Sequence, residues 1–534
     1  MMRPNKGVGW LMPSIADILF LSFFFKLLNN GSGLLDDGDT GWHIVTGESI
    51  LRTFKIPFAD PYSHSIAGAP WTAHEWFAEV LFGLAHRLMG LNGVVLVSTT
   101  VITLTFFFLY LFMLRRGVSA IIAVSFTILA AWASMLHWLA RPHIFSLPLT
   151  LAFVVILDMY RREKVNRLWL LPPLMVLWVN LHGGYVLGLI LVLLYACGNL
   201  LRSFTSSDIR EEARGASKVL GMAAGATLVA TFVNPQGPAI LYFPFHLIGR
   251  RYIMDNVVEW LSPNFHQYTV FEYMLLLFIA IFALSKIRPD IIEGGAALLL
   301  TYMALYSVRY VPLLAIVVTP MAAERAGEVF DQLTKPLASL KIVNITRDIF
   351  RNVSSNVTSL ETRFVHHLWV YAAVGGCFLV ALNGGKFGRA QAMDYQHDRR
   401  LFPVEALNFA LNNDIKGNMF NNDGWGGYII YKSYPHFKVF MDGRSDMYGV
   451  PMLKEYVKVA TAQVDCENVL DKYDVTWIIF NANSPVCQLL VAKRNWKLIY
   501  ADTTANILLK DVPENRELIE RYPDATFQRR AGEE

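Results

Sequence analysis

The sequence predicts a polytopic α-helical membrane protein that ends in an extracytoplasmic α/β domain. The chain has 534 residues, of which 54% are hydrophobic and only 17% are charged. One bilayer crossing takes about 20 mostly apolar residues, and about eleven such segments precede residue 384, so we expect about eleven spans. After residue 384 the chain becomes charged, and short strand-like and helical runs alternate. The chain therefore divides into a membrane domain, 1–384, and a soluble domain, 385–534.

The predicted spans follow from continuous apolar runs, several of them shorter than a full crossing. They are 10–29, 93–114, 118–138, 143–160, 167–181, 185–201, 218–233, 270–285, 291–307, 310–323 and 364–383. No small-residue cleavage site follows the first run, which therefore predicts a signal anchor.

Orientation follows from Lys and Arg, which accumulate in cytoplasmic turns. They cluster in alternate turns, at 3–6, 115–116, 161–167, 202–218, 286–288 and 325–351, and are sparse in the turns between. This alternation favours an odd number of spans in a multi-pass protein of the inner (plasma) membrane, with residues 385–534 outside. The net charge of +4 says little about partners, because the basic residues are segregated by side.

The first outer loop, 31–91, is unusually rich in acidic residues and histidines. It contains Asp36, Asp37, Asp39, His43, Glu48, Asp60, His64, His74 and Glu75. Carboxylates cost several kcal/mol to desolvate unless they are paired or in use, so this number beside a bilayer predicts a site at its surface. Two interpretations stay open: Asp39 is an N-cap for a helix over 40–53, or Asp37 or Asp39 has a chemical role. The loop is expected to form two surface helices, the second after Trp76, joined by turns between Pro57 and Pro70.

Polar clusters elsewhere fall on the same side of the membrane as this loop. They lie at 36–43, 71–75, 141–143, 180–184, 234–237, 250–259 and 309. Together they predict one outward-facing composite site roofed by the first loop. Its candidate binding residues are His43, His74, Glu75, Arg141, His143, His182, Arg250, Arg251 and Arg309. Ionisable residues are nearly absent from the span centres, which argues against a proton- or ion-coupled transporter.

The soluble domain alternates strand-like runs at 418–420, 438–441, 475–480, 496–501 and 506–510 with helical patterns at 403–412, 451–463, 466–473 and 485–494. Such alternation predicts a partly parallel sheet. Polar turns are expected at 421–431 and 441–449, where Arg444 would pair with Asp442 and Asp446. An oxidising compartment would allow a disulfide between Cys466 and Cys487, and the sequence leaves this open. No zinc spacing, phosphate-binding glycine motif or serine nucleophile elbow is present, and no nucleic-acid partner is expected.

The first loop resembles that of the GT-C superfamily of membrane glycosyltransferases. The resemblance rests on Asp39-x-x-Trp42-His43, then Gly47, Ile56-Pro57, Asp60, Trp71 and His74-Glu75-Trp76. This superfamily includes protein O-mannosyltransferases, aminoarabinose transferases of lipid A and the catalytic subunits of oligosaccharyltransferases. The turns RPH at 141–143, NLHGG at 180–184 and NPQG at 234–237 are similar to those of bacterial members. The run from Asp423 to Tyr428 is similar to the tryptophan-rich motif of oligosaccharyltransferases, but it lacks the paired tryptophans, so acceptor-peptide binding is not implied.

The resemblance implies transfer of a sugar from a polyprenyl-phosphate-linked donor to a glycan, lipid or protein acceptor outside the cytoplasm. Asp39, or its neighbour Asp37, would be the catalytic base. Arg141, Arg250, Arg251 and Arg309 would face the departing lipid phosphate. No cofactor is certain: Asp37-Gly-Asp39 resembles a metal-binding DxD pair for Mg²⁺ or Mn²⁺, yet several families in this group need no metal.

Other functions remain open at this level. A lipid-glycan flippase or transporter is disfavoured by the missing midplane charges. A non-catalytic glycan-assembly protein would keep this fold without needing Asp39. Polysaccharide polymerases and ligases are the nearer enzymatic rivals, but they would lack the acidic first loop. The donor sugar, the acceptor and the oligomeric state are not readable from the residues.

Overall fold

The computed structural model describes residues 12–205, 207–267, 269–336, 341–361 and 366–528. Fifteen of its helices precede the tail: α1 Ile15–Asn29, α2 Asp39–Thr53, α3 Trp76–Arg115, α4 Ala120–Ser134, α5 Ser146–Asp158, α6 Leu171–Leu181, α7 Tyr185–Thr205, α8 Arg210–Ala230, α9 Tyr242–Ile248, α10 Arg251–Asn256, α11 Val270–Leu284, α12 Ile291–Tyr306, α13 Val311–Thr334, α14 Lys341–Glu361 and α15 Leu368–Leu382. Each of the eleven predicted apolar segments overlaps with one of these helices. Arg3 and Lys6, which entered the orientation argument, lie outside the described residues.

Four helical stretches in the described ranges are long and apolar enough to cross a membrane: Trp76–Arg115, Ala120–His137, Pro142–Glu163 and Tyr185–Thr205. Shorter apolar helices occupy Leu168–Leu181, Val270–Leu284, Ile291–Tyr306 and Leu368–Leu382. Helix α3 combines the second surface helix expected after Trp76 with the span expected over 93–114. Gly90 separates the two parts with φ of 62° and ψ of −154°, a conformation that glycine adopts at little cost because it lacks a Cβ.

The N-terminus of α1 is capped both by neighbouring residues and by Glu361 at the end of α14. Ser14 and Asp17 form a reciprocal capping box, and the Glu361 carboxylate accepts hydrogen bonds from the backbone N–H of Ile15 at 2.7 Å and of Ala16 at 3.0 Å. A helix leaves its first amides without intrahelical acceptors, so these bonds satisfy groups that would otherwise need water. The first helix is thereby attached to the end of α14.

Residues 385–528, called the tail domain below, contain a four-stranded sheet in the order β3-β4-β6-β5. Its elements are β1 Lys386–Phe387, β2 Ala390–Gln391, α16 Val404–Asn412, β3 Asn418–Asn421, α17 Asp423–Ser433, α18 Ser445–Ala460, α19 Cys466–Lys472, β4 Val475–Asn481, α20 Pro485–Ala492, β5 Trp496–Ala501, β6 Ala505–Lys510 and α21 Arg516–Arg521. Strands β3 and β4 are parallel, whereas β6 runs antiparallel to β4 and β5. The partly parallel sheet was therefore predicted correctly.

Two local predictions for the tail domain were wrong. The run 438–441 is not a strand of the sheet; Val439 makes only an isolated bridge to Ser63 of the first loop. The glycine-rich run expected to be a turn at 421–431 is mostly helix α17. The described cysteines are free, including the buried thiols of Cys466 and Cys487.

The first loop and the tail domain share one hydrophobic core. Trp42, Tyr62 and Trp71 of the loop are buried together with Ile429 and Trp477 of the tail domain. Burial of large aromatic side chains contributes much of the stability of such a core. The first loop is therefore held between the helix bundle and the tail domain, and this placement positions the site.

Candidate active site

A cavity of about 480 Å³ lies where the first loop, the ends of the bundle helices and the tail domain meet. Its charged and histidine lining comes from the first loop, the helix bundle and the tail domain: Asp37, Asp39, His74, Glu75, Glu79, His137, Arg141, His143, His182, Glu259, Arg309, Asp423, Arg444 and Asp446. The predicted clusters at 36–43, 71–75, 141–143, 180–184, 250–259 and 309 therefore contribute to one place. The cluster at 234–237 does not line the cavity; beside it, the backbone oxygen of Val233 accepts a hydrogen bond from Asn180 at 2.8 Å.

Arg141 stands at the centre of the carboxylate cluster, which we define as Asp37, Asp39 and Glu259. Its Nη1 donates to Oδ2 of Asp37 at 2.8 Å and to Oε1 of Glu259, and its Nη2 lies 2.9 Å from Oδ2 of Asp39. Burial alone would lower the pKa of Arg141, but the three carboxylates raise it well above its ordinary value. Burial would likewise raise the pKa of Glu259, but Arg141 and Arg309 lower it. The cluster is a buried, charge-assisted network.

Asp39 does not cap helix α2 with its side chain. The cap position is Gly38, which provides no side-chain bond, and it is Asp37 that accepts from the Asp39 backbone N–H at 2.8 Å. The Asp39 carboxylate instead accepts from Trp42 Nε1 at 3.1 Å and pairs with Arg141. Burial raises the pKa of Asp39 to about 7, although Arg141 opposes this shift. A carboxyl group with such a pKa exchanges protons near neutral pH, which is what a general base requires.

Histidines surround Glu75 on the wall next to Asp39. Its carboxylate lies 3.6 Å from Nε2 of both His74 and His182 and 3.8 Å from Nε2 of His43. Burial raises the pKa of Glu75 and lowers that of His43 and His182, so burial favours the neutral forms of these groups. His143 lies beside them, with its ring centroid 6.3 Å from that of His182. Neutral imidazole and carboxyl groups can both donate and accept hydrogen bonds, as recognition of hydroxyl groups requires.

Among the arginines that line the cavity, Arg309 is paired least closely with carboxylates. Its guanidinium lies 4.5 Å from the centroid of the Trp260 ring, and its Nη2 is 3.5 Å from Oε2 of Glu259. The two other expected phosphate contacts are not in the cavity lining: Arg250 donates to the backbone oxygen of Asp446 at 2.7 Å, and the side chain of Arg251 is 90% exposed beside Asp255. Of the four arginines that were expected to face the lipid phosphate, Arg309 and Arg141 line the cavity, and Arg250 and Arg251 do not.

The tail domain contributes a wall that the sequence analysis did not anticipate. Helices α2 and α17 approach closely at glycines: a Cβ on Gly41 would lie 2.8 Å from the Gly427 carbonyl carbon. Gly38 and Gly41 are three residues apart, as are Gly424 and Gly427, so each pair occupies one helix face. That matched spacing is the signal in the sequence for this contact.

A second tail segment, 441–446, closes the cavity beside Asp39. Gly443 lies so near that a Cβ there would be 2.5 Å from Cγ of Asp39. Arg444 pairs with Asp442, as expected from the sequence, but its second partner is Asp60 of the first loop at 2.9 Å rather than Asp446. Its guanidinium lies 4.7 Å from the Trp71 ring centroid. This buried cation fixes the tail domain on the loop.

The side of the cavity nearest the bundle is apolar. Leu147 of α5, Val186 and Ile190 of α7, Met303 of α12 and Leu313 of α13 line it. The cavity therefore combines a polar roof with an apolar floor, the arrangement that suits a ligand with a charged head and a hydrocarbon chain.

The geometry does not fit a divalent metal held by Asp37 and Asp39. An oxygen of each carboxylate is already paired with Arg141, and within the described ranges no group of three or more His, Cys, Asp or Glu side chains is arranged to hold a metal ion.

Comparison with known proteins identifies the fold. No protein-family model and no curated protein sequence match the chain. Among solved structures, it is similar to the archaeal oligosaccharyltransferase AglB from Archaeoglobus fulgidus, solved in complex with an inhibitory peptide and a dolichol-phosphate. The TM-score is 0.53 at 12% identity, over 92% of this chain and 75% of that one. The chain therefore shares the fold of that structure, with a helical part followed by a small sheet-containing domain.

Proposed function

We propose that this protein is a membrane glycosyltransferase that moves a sugar from a polyprenyl-phosphate-linked donor to an acceptor outside the cytoplasm. The observation that carries the proposal is Asp39: a buried carboxylate at the wall of a cavity whose floor is apolar, with a pKa raised to about 7. The fold shared with AglB, which was solved with a dolichol-phosphate, supports the same class of donor.

In the proposed reaction Asp39 takes the proton of an acceptor hydroxyl group. The acceptor oxygen forms a bond to the anomeric carbon of the sugar while the bond from that carbon to the phosphate oxygen breaks. The phosphate leaves with the electron pair and remains attached to its polyprenyl chain. Arg309 faces this negative charge, and the apolar floor formed by α5, α7, α12 and α13 holds the adjoining part of the chain. Residues 385–534 and the cavity are on the outer side in this proposal.

The test replaces Asp39 with Asn, which keeps the shape of the side chain and cannot accept the proton. We expect transfer to fall by about 10²-fold or more, the usual contribution of a general base. The assay supplies purified protein in nanodiscs with a panel of polyprenyl-phosphate sugars and membrane extract as the acceptor source, and measures released polyprenyl phosphate. Binding of polyprenyl phosphate itself is measured in parallel and should persist.

Two matched variants sharpen the result. Asp36→Asn changes the same residue type at an exposed position nearby and should leave transfer unchanged. Asp37→Asn removes a partner of Arg141 and the cap of the Asp39 backbone N–H, so it should lower transfer less than Asp39→Asn does. Full transfer by a well-folded Asp39→Asn protein would rule out Asp39 as the base.

A further inference from the structure

We infer that the guanidinium of Arg141 is the resident cation of the carboxylate cluster and occupies the position that a divalent metal would otherwise take. The cluster collects its carboxylates from two separate parts of the chain: Asp37 and Asp39 come from the start of α2, and Glu259 comes from the segment before α11. Each contributes an oxygen to the same guanidinium. Arg141 thus neutralises acidic groups that would repel one another without it.

A metal and Arg141 would compete for the same atoms. A cation bound by Asp37 and Asp39 would use carboxylate oxygens that lie 2.8 and 2.9 Å from Arg141. The guanidinium would then keep only Glu259 and would lie beside a second positive charge. The Arg141 side chain is 14% exposed, and a buried charge that loses its partners is strongly unfavourable. The folded site therefore resists the exchange.

Hydrogen bonds of the neighbouring backbone hold the turn that carries Arg141. Ala140, the preceding residue, donates its N–H to the Leu34 oxygen at 2.7 Å, and its own oxygen accepts from Thr40 Oγ1 at 3.1 Å. These bonds attach the turn to the chain on both sides of Asp37 and Asp39. Pro142 follows and restricts Arg141 to an extended conformation, observed with φ of −131°. The backbone at Arg141 is thus held independently of the carboxylates.

The consequence for catalysis rests on the proposed function. Arg141 would be a positioning residue that orients the Asp39 carboxylate and supplies the fixed positive charge of the site, and transfer would need no divalent cation. What occupies the cluster can be tested separately, because metal binding is measurable without a donor or an acceptor.

The experiment measures Mn²⁺ binding by electron paramagnetic resonance on the full-length protein in nanodiscs. Wild-type protein should bind no more Mn²⁺ than Asp37→Asn, and EDTA should not change its apparent melting temperature. Arg141→Gln removes the cation and leaves the carboxylates, so it should gain Mn²⁺ affinity by about tenfold or more, since oxygen ligands suit Mn²⁺. Asp37→Asn added to this variant should abolish the gain.

Arg309→Gln is the matched control, because it removes an arginine from the same cavity but not from between Asp37 and Asp39; it should gain no Mn²⁺ site. Mn²⁺ bound by wild-type protein and lost in Asp37→Asn would overturn the inference, and this comparison decides the matter even if Arg141→Gln fails to fold. A well-folded Arg141→Gln protein with wild-type Mn²⁺ affinity would also overturn it, because Arg141 would then not be what excludes the metal.

Discussion

Gly443 offers a way to disturb Asp39 from the tail domain without changing any charged group. In Gly443→Ala the new Cβ would lie 2.5 Å from Cγ of Asp39, whereas ordinary contact begins at 3.4 Å. The carboxylate must therefore retreat by at least about 0.9 Å, the difference between these distances, or the tail segment must move away by as much, because Oδ1 of Asp39 would lie nearer still to the new Cβ. The backbone of Gly443 is not in the left-handed region, so the cost is steric.

The size of the effect follows from what this shift breaks. The Asp39 carboxylate is held by Trp42 at 3.1 Å and by Arg141 at 2.9 Å, and both bonds lengthen when it moves. A displacement of about 1 Å in an active site costs about 10²-fold in rate, and overpacking a buried contact costs about 1–3 kcal/mol in stability. We expect both losses in Gly443→Ala, measured as transfer rate and as apparent melting temperature in detergent.

A double-mutant cycle identifies the cause. In an Asp39→Ala background the clashing atoms are gone, so Gly443→Ala should cost clearly less stability there than in the wild type. Gly376→Ala in α15 is the matched control, because a Cβ at that position has no neighbour within 4 Å. Wild-type transfer by Gly443→Ala, or an equal stability loss in both backgrounds, would refute the argued contact.

Two further predictions concern the same cavity. Arg309→Ala should weaken binding of polyprenyl phosphate by about 1.5–3 kcal/mol, the range for a lost charged hydrogen bond, while Arg251→Ala, whose side chain is 90% exposed, should not; equal effects would remove the assigned phosphate contact. Since the pKa of Asp39 is about 7 in the fold against an ordinary 3.8, its base form appears only as pH rises through 7, and kcat/KM should increase over that interval. The same raised pKa means that the stability contribution of protonated Asp39 is fully present below pH 3.8 and is lost as the pH rises from there through about 7, so wild type should lose melting temperature relative to Asp39→Asn across that wider interval. A flat rate profile would contradict the assignment.

Much of the membrane part could be predicted because its signals are local. A long apolar run is visible in the sequence itself, and each predicted run overlaps with a helix. The positive-inside pattern then placed Asp39, Arg141, His182 and Arg309 on one side, and the fold brings them to one cavity. The pattern gives the side of the membrane but not the distance from the bundle axis, which is why Arg251 was grouped with Arg141 although its side chain points to solvent.

The contribution of the tail domain was harder to anticipate because it depends on contacts between distant residues. The run containing Gly424 and Gly427 has the composition of a turn, yet it forms a helix whose glycines admit α2. Arg444 is a second contact between distant residues, because its partner Asp60 lies more than 380 positions earlier in the chain. A glycine-rich composition shows that the backbone has conformational freedom. It does not show that a second helix packs against those glycines, because that depends on the surface of the other helix.

The closure of α1 by Glu361 has a consequence for how this protein is made. The first helix leaves the ribosome early, but the carboxylate that binds Ile15 and Ala16 follows 346 and 345 residues later. Until then those two amides must be satisfied by water or lipid headgroups, so that end of α1 stays free to shift while the other helices insert. The bonds between the first helix and the end of α14 therefore form late in the synthesis of the helical part, and a chain cut short before residue 361 would carry a first helix that can pack on α3 but lacks the Glu361 acceptor for the amides of Ile15 and Ala16.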